Sequence, residues 1–251
     1  MKYRPEIDGL RAIAVLSVIF SHAGFPVFSG GYVGVDVFFV ISGYLITLII
    51  YGELQEERFS IIGFYERRIR RILPALFFVI LACIPFAWQW MMPDEFKDFS
   101  RSIVKVNAFI SNIYFWKESN YFAPDAQLAP MLHTWSLAVE EQFYVLFPLI
   151  LMVFKRCRTN VLLMFLSILV LVSLGLSEWM SKSFPVANYY LLPSRAWELG
   201  VGSILAVSIN YWKGFNGWFA QIASFLGFLL VMMAIFTFDE LTPFPGLWAL
   251  F

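Results

Sequence analysis

Seven apolar stretches recur along this chain of 251 residues, each near the roughly 20 residues that a helix needs to cross a bilayer. They lie near 10–28, 33–51, 72–92, 135–154, 160–178, 196–212 and 217–238. A chain that is 60% hydrophobic and 14% charged has no soluble solution at this length, because too much apolar surface would stay in water. The expectation is an all-α polytopic transmembrane helix bundle, one membrane domain over 1–251. An eighth apolar segment opens around Pro245 and the chain stops at Phe251, as expected of a fragment of a longer protein.

Basic residues orient the crossings. Lys2 and Arg4 precede the first span, the run Glu66–Arg71 precedes the third, Lys155–Arg158 follows the fourth and Lys213 follows the sixth. Alternating crossings put all four groups on the cytoplasmic side, with a cytoplasmic N-terminus. The segment Ser102–Trp116 would break that parity as a span, so it reads as an amphipathic or re-entrant helix over the outer mouth. Glu6 and Asp8 interrupt the basic start and no small-residue cleavage site follows, so the first span reads as a retained anchor. Zero net charge without a basic face argues against nucleic-acid binding. Cys83 and Cys157 have no metal-ligand spacing, and no metal is expected.

Ionisable residues inside apolar spans mark functional positions by default, because charge at membrane depth is costly. Arg11 and His22 are eleven residues apart in the first span, which puts them on one helix face roughly 16 Å apart along the axis. Asp8 sits one turn before Arg11. A neutral imidazole is a natural acceptor for a hydroxyl proton. In the fourth span Glu140 and Glu141 point about 100° apart, so at most one faces a given cavity. Glu140 shares its stripe with Ser136, Phe143 and Tyr144, and Glu141 pairs elsewhere or lies nearer the interface. Taken alone, the four arginines of Glu66–Arg71 are most often a topology signal, yet paired guanidiniums also grip phosphate oxygens. Gly30, Gly31 and Gly34 suit close helix packing, Asp36 is an acid within the second span, and Arg195 with Glu198 forms an i, i+3 ion pair.

The segments DGLRAIAVLSVIFSHAG, GGYVGVDVFFVISGYLIT, FYERRIRRILPA, LHTWSLAVEEQFYVLFP and SRAWELGVG together resemble the acyltransferase-3 family of integral-membrane acyltransferases, in order and spacing over nearly the whole chain. Within that family the likeness is to bacterial O-acetyltransferases acting on O-antigen, lipopolysaccharide or peptidoglycan. The resemblance implies about ten membrane helices, a location in the bacterial inner membrane and acetyl transfer from cytoplasmic acetyl-CoA to a glycan hydroxyl on the far side. Some members carry a C-terminal SGNH-type domain, and no Gly-Asp-Ser nucleophile occurs here. By the family's motifs Arg11, His22 and Glu140 are the catalytic candidates. The Arg-x-x-Arg donor motif falls on Arg68 and Arg71 or on Arg67 and Arg70, and the position before Ile-Leu-Pro favours the first pair. The competing reading is a transporter with the same buried charges along its pathway. A third is a scaffold in which Arg11, His22 and Glu140 only pair with one another.

Overall fold

The computed structural model describes residues 4–119, 129–209, 211, 217–239 and 242–250. Lys2 and Lys213, two of the orienting basic residues, lie outside them. The described residues form α-helices joined by turns, with no β-strand among them. Each expected span has its helix: α1 (Pro5–His22), α2 (Gly34–Gln55), α3 (Ile61–Trp90), α6 (Thr134–Val153), α7 (Thr159–Ser183), α9 (Leu192–Ser208) and α10 (Gly217–Thr237). Between α3 and α6 stand α4 (Pro93–Asn107) and α5 (Ser111–Glu118), and α8 (Pro185–Tyr190) links α7 to α9. The start of the expected eighth segment is a single 3-10 turn, Leu247–Leu250.

Among the described residues five helices are long and apolar enough to cross a membrane: α2, α3, α6, α7 and α10. Their outward faces carry large apolar side chains such as Phe78, Leu81, Leu171 and Phe225, which suits lipid and not water. The protein is an all-α polytopic membrane protein. Helix α1 falls short in apolarity because Glu6, Asp8 and Arg11 lie in it, and α9 has 17 residues and holds Arg195 and Glu198. Ser102–Trp116 is split between α4 and α5 by Ala108–Ile110, where Phe109 has a φ of 52°. Neither piece is long enough to span.

The first helix differs from its expected 10–28 limits. Pro5, which needs no hydrogen-bonded N–H, opens it, and Glu6 and Asp8 complement the positive end. Gly24 with a φ of 77° turns the chain after His22, and Pro26 starts a separate 3-10 turn. His22 is therefore the last residue of α1 instead of lying inside a longer span.

The chain divides into two compact units, Met1–Ile49 with Cys157–Tyr189 and Pro193–Phe251, and Ile50–Arg156 with Tyr190–Leu192. In the first, small residues set the packing. A Cβ on Gly31 would overlap the Ser17 carbonyl, on Gly34 the Ala14 carbonyl, and on Gly30 the Ala234 carbonyl. The turn before α2 thus lies directly on α1 and on the end of α10. Helices α2 and α9 meet the same way, since a Cβ on Gly43 would enter the Leu199 carbonyl and one on Gly202 the Val40 carbonyl. Thr47 Oγ1 donates to the Gly43 carbonyl at 2.6 Å and lies 2.9 Å from Ser203 Oγ, so the seam also satisfies its hydroxyls.

In the second unit α5 packs on α6 through reciprocal amides. Gln142 Nε2 donates to Asn112 Oδ1 at 2.8 Å and to the Phe109 carbonyl at 3.0 Å, while Asn112 Nδ2 donates to the Tyr190 carbonyl at 3.1 Å. These bonds absorb the polar groups freed by the break between α4 and α5. Helices α3 and α6 run antiparallel: Tyr65 reaches the Val145 carbonyl at 3.1 Å and Arg68 reaches Glu141 at 3.0 Å.

The glycine seam makes a direct prediction. Gly43→Val or Gly202→Val forces α2 from α9 and lowers stability by about 1–3 kcal/mol or more. Gly175→Ala, with nothing within 4 Å of the added carbon, changes stability by less than about 1 kcal/mol. Thermal unfolding in detergent, followed by size-exclusion chromatography, separates the two classes.

Candidate active site

His22 stands exposed at the C-terminal end of α1. Its Nδ1 lies 2.9 Å from the Val18 carbonyl oxygen, one turn back. A carbonyl oxygen only accepts, so Nδ1 carries the hydrogen, and in the neutral ring Nε2 then carries the lone pair. Helix geometry thereby fixes the tautomer that a base or nucleophile needs, with Nε2 directed away from the backbone bond. The adjacent stripe of α1 is anchored: Ala14 and Ser17 are buried, and Ser17 Oγ bonds the Ala14 carbonyl at 2.9 Å and the Gly31 carbonyl at 3.2 Å. Arg11 shares the helix with His22, as the spacing predicts, and its guanidinium is 4.0 Å from Asp8 at a partly exposed site.

The arginine run lies elsewhere than expected. Because α3 begins at Ile61, Glu66–Arg71 forms its second and third turns and does not precede the helix. That brings Arg68 to the level of Glu141, an acid expected in the outer part of the fourth span. The pair is closed at 3.0 Å with side-chain exposures of 17% and 13%. The Arg68 guanidinium also stacks on the Tyr144 ring, 4.1 Å from its centroid. Arg67 reaches both carboxylate oxygens of Glu53 at 2.9 and 3.0 Å, and Arg70 pairs with Glu66 at 2.7 Å on the surface. Arg71 is exposed and has no ion-pair partner among the described residues. Glu140 lies one turn from Tyr144, whose hydroxyl is 3.5 Å from its Oε2.

The most completely buried charges join the Arg195–Glu198 pair expected from the sequence to Asp36, an acid the sequence left without a partner. Arg195 Nη1 bonds Asp36 Oδ1 at 2.6 Å and Glu198 Oε1 at 2.8 Å, and the Arg195 side chain is 0% exposed. Phe39, Tyr189 and Phe244 place their ring centroids 5.5, 5.4 and 5.7 Å from the guanidinium carbon. The i, i+3 spacing announces the Glu198 contact. Asp36, 159 residues away, is joined only by the packing of α2 on α9. The available signal was that an acid in the first turn of an apolar helix needs a cation from another helix.

These features define a polytopic membrane protein whose buried arginines are held by carboxylates and whose first helix ends in an oriented, exposed imidazole. The chain belongs to the acyltransferase-3 family: the family model, described as an acyltransferase domain, matches residues 4–251. It is 36% identical over 177 residues to the O-acetyltransferase OatA of Staphylococcus aureus, covering 70% of this chain and 29% of OatA. It is 35% identical over 214 residues to the peptidoglycan O-acetyltransferase OatA of Listeria monocytogenes, covering 82% of this chain and 34% of that protein. YrhL of Bacillus subtilis is 34% identical over 260 residues, covering 97% of this chain and 40% of YrhL. The chain thus spans 29–40% of the length of these relatives. No solved structure matches it significantly.

Removing one member of the Arg195 cluster leaves buried charge without its partner. Arg195→Met alone costs about 3–5 kcal/mol, whereas the triple change Asp36→Leu, Arg195→Met and Glu198→Met stays within about 2 kcal/mol of the parent. Protein level in the membrane and unfolding temperature in detergent report the difference, and equal losses in both variants contradict it.

Proposed function

We propose that the protein is an O-acetyltransferase that moves an acetyl group from cytoplasmic acetyl-CoA to a hydroxyl of an extracytoplasmic cell-envelope glycan. Peptidoglycan is the favoured acceptor over O-antigen or lipopolysaccharide, because the Listeria relative is named for it. The observation that carries the chemistry is the His22 imidazole, with Nδ1–H held by the Val18 carbonyl and Nε2 left as the acceptor.

The reaction follows from that atom. Nε2 takes the proton of the acceptor hydroxyl as its oxygen attacks the thioester carbonyl. The carbon–sulfur bond then breaks, and the departing CoA thiolate takes the proton back from the imidazolium, giving the ester and free CoA. In the covalent variant Nε2 itself attacks the thioester carbonyl, and the carbon–sulfur bond breaks to release CoA thiolate. The acceptor hydroxyl then attacks the acetyl-imidazolium, the carbon–nitrogen bond breaks, and the hydroxyl proton passes to the thiolate, giving the ester, free CoA and the neutral ring. Since Val18 already orients the ring, Glu140 is not needed to do so, and we assign it a catalytic role as the carboxylate that the family's motifs single out. Arg11 stabilises the thioester oxyanion or guides the donor, both uses of a guanidinium with an exposed edge. The donor phosphates require free cationic groups, and in the Arg67–Arg71 run the exposed Arg71 offers one.

The test compares full-length protein with its His22→Ala variant at matched membrane levels, using labelled acetyl-CoA and membrane glycans. Transfer falls by about 10²–10⁴-fold in the variant. Transfer equal to the parent's removes His22 from the mechanism. No transfer by either protein favours the transporter reading.

A further inference from the structure

The arginine motif contains two kinds of arginine, distinguished by what each already holds. Arg68 is paired with Glu141 at 3.0 Å and stacked on Tyr144 at 4.1 Å. Its Nε is itself buried and meets no hydrogen-bond acceptor among the described residues, so that edge is not turned to solvent. A guanidinium held on one side by a carboxylate and on a face by a ring is less free to receive an incoming phosphate, which would compete with Glu141 for it. Arg71, three residues on, is exposed and carries no ion pair among the described residues.

The groups that hold Arg68 are the neighbours of Glu140. Glu141 is adjacent to Glu140 in the chain, and Tyr144 lies one turn on with its hydroxyl 3.5 Å from Glu140 Oε2. Arg68 thus grips the α6 turn on which Glu140 stands at two points, the carboxylate of one residue and the ring of another. Tyr65, one turn before Arg68, fixes the same register through the Val145 carbonyl at 3.1 Å. Burial raises the value of this grip, because a charge pair this shaded from water is screened little by solvent or salt.

We propose that Arg68 is a positioning residue for Glu140, acting through Glu141 and Tyr144, and that Arg71 is the arginine of this motif that contacts the anionic part of the acyl donor. The proposal rests on the acyltransferase reading above and divides its donor motif into a strut and a ligand. The strut sets the orientation of a catalytic carboxylate and therefore acts on turnover. The ligand binds the donor in ground and transition states alike and therefore acts on its KM.

The experiment measures CoA release from acetyl-CoA by full-length protein in detergent, with a chitooligosaccharide as acceptor, for Arg68→Gln, Arg68→Lys, Glu141→Gln, Arg68→Gln with Glu141→Gln, and Arg71→Gln. Arg68→Gln and Glu141→Gln each lower kcat by about 10–100-fold and leave the donor KM within about twofold, and the double variant is no slower than the slower single. Arg68→Lys keeps the charge pair but loses the planar stack, and its kcat falls between the parent and Arg68→Gln. Arg71→Gln raises the donor KM by about tenfold with kcat within about twofold. The proposal is overturned if Arg68→Gln raises the donor KM by about tenfold while Glu141→Gln does not, or if the two single effects multiply in the double variant. Should Arg68→Gln fail to accumulate, Arg68→Lys decides: a raised donor KM with unchanged kcat overturns the proposal, and a lowered kcat with unchanged KM supports it. CoA release by the parent no faster than without protein sinks the acyltransferase reading itself, and the positioning role with it.

Discussion

A charged side chain in an apolar interior has to be answered by another, and Arg195 is the residue on which that requirement falls hardest. Fully buried, it is answered by Asp36 from α2 and Glu198 from its own helix. The pairing sets how α2 lies on α9, and the glycines at 43 and 202 let the two backbones come close enough for it. Asp36 stands in the first turn of α2, just after Gly31 and Gly34, on which the buried stripe of α1 rests. His22 ends that same α1. The ion cluster, the glycine contacts and the imidazole are thus consecutive links in one packed unit.

Ion pairing also sorts the charged residues by availability. Arg67, Arg68 and Arg70 are held by Glu53, Glu141 and Glu66, to degrees that run from partly buried to fully surface. The exposed pair of Arg70 and Glu66 contributes little, since solvent screens it. Arg71 and the Nε2 of His22 are left to meet something from outside the described chain. The acyl transfer proposed above needs such a division, with fixed charges shaping the site and a few free ones working in it.

Much of this architecture was legible in the sequence because it rests on patterns local in the chain. Apolar runs near the length of a membrane crossing marked all seven long helices, and charge parity kept Ser102–Trp116 from being read as an eighth. The cluster of glycines before α2 signalled close packing, which the Ala14, Ser17 and Ala234 carbonyls bear out. What escaped was rotational and long-range. The 100° divergence of Glu140 and Glu141 showed that they part, but not that Glu141 turns to Arg68, 73 residues away. The arginine run looked like the boundary of a span because hydropathy does not register the five residues by which α3 starts ahead of it. The backbone bond of His22 was equally invisible, since it depends on a side-chain rotamer at the end of a helix.

The central claim is that the fold presents Nε2 of His22 as an unprotonated acceptor, and the tautomer is open to direct observation. The sequence has two histidines, His22 and His133, so a His133→Gln protein leaves one imidazole to observe. Its 15N spectrum in lipid at about pH 8.5, above the usual imidazole range, reports which ring nitrogen carries the hydrogen. A pyrrole-type Nδ1 with a pyridine-type Nε2 is the result this account predicts. A pyrrole-type Nε2 would contradict it, because the nitrogen that the proposed mechanism turns to an acceptor hydroxyl would then have no lone pair with which to take its proton.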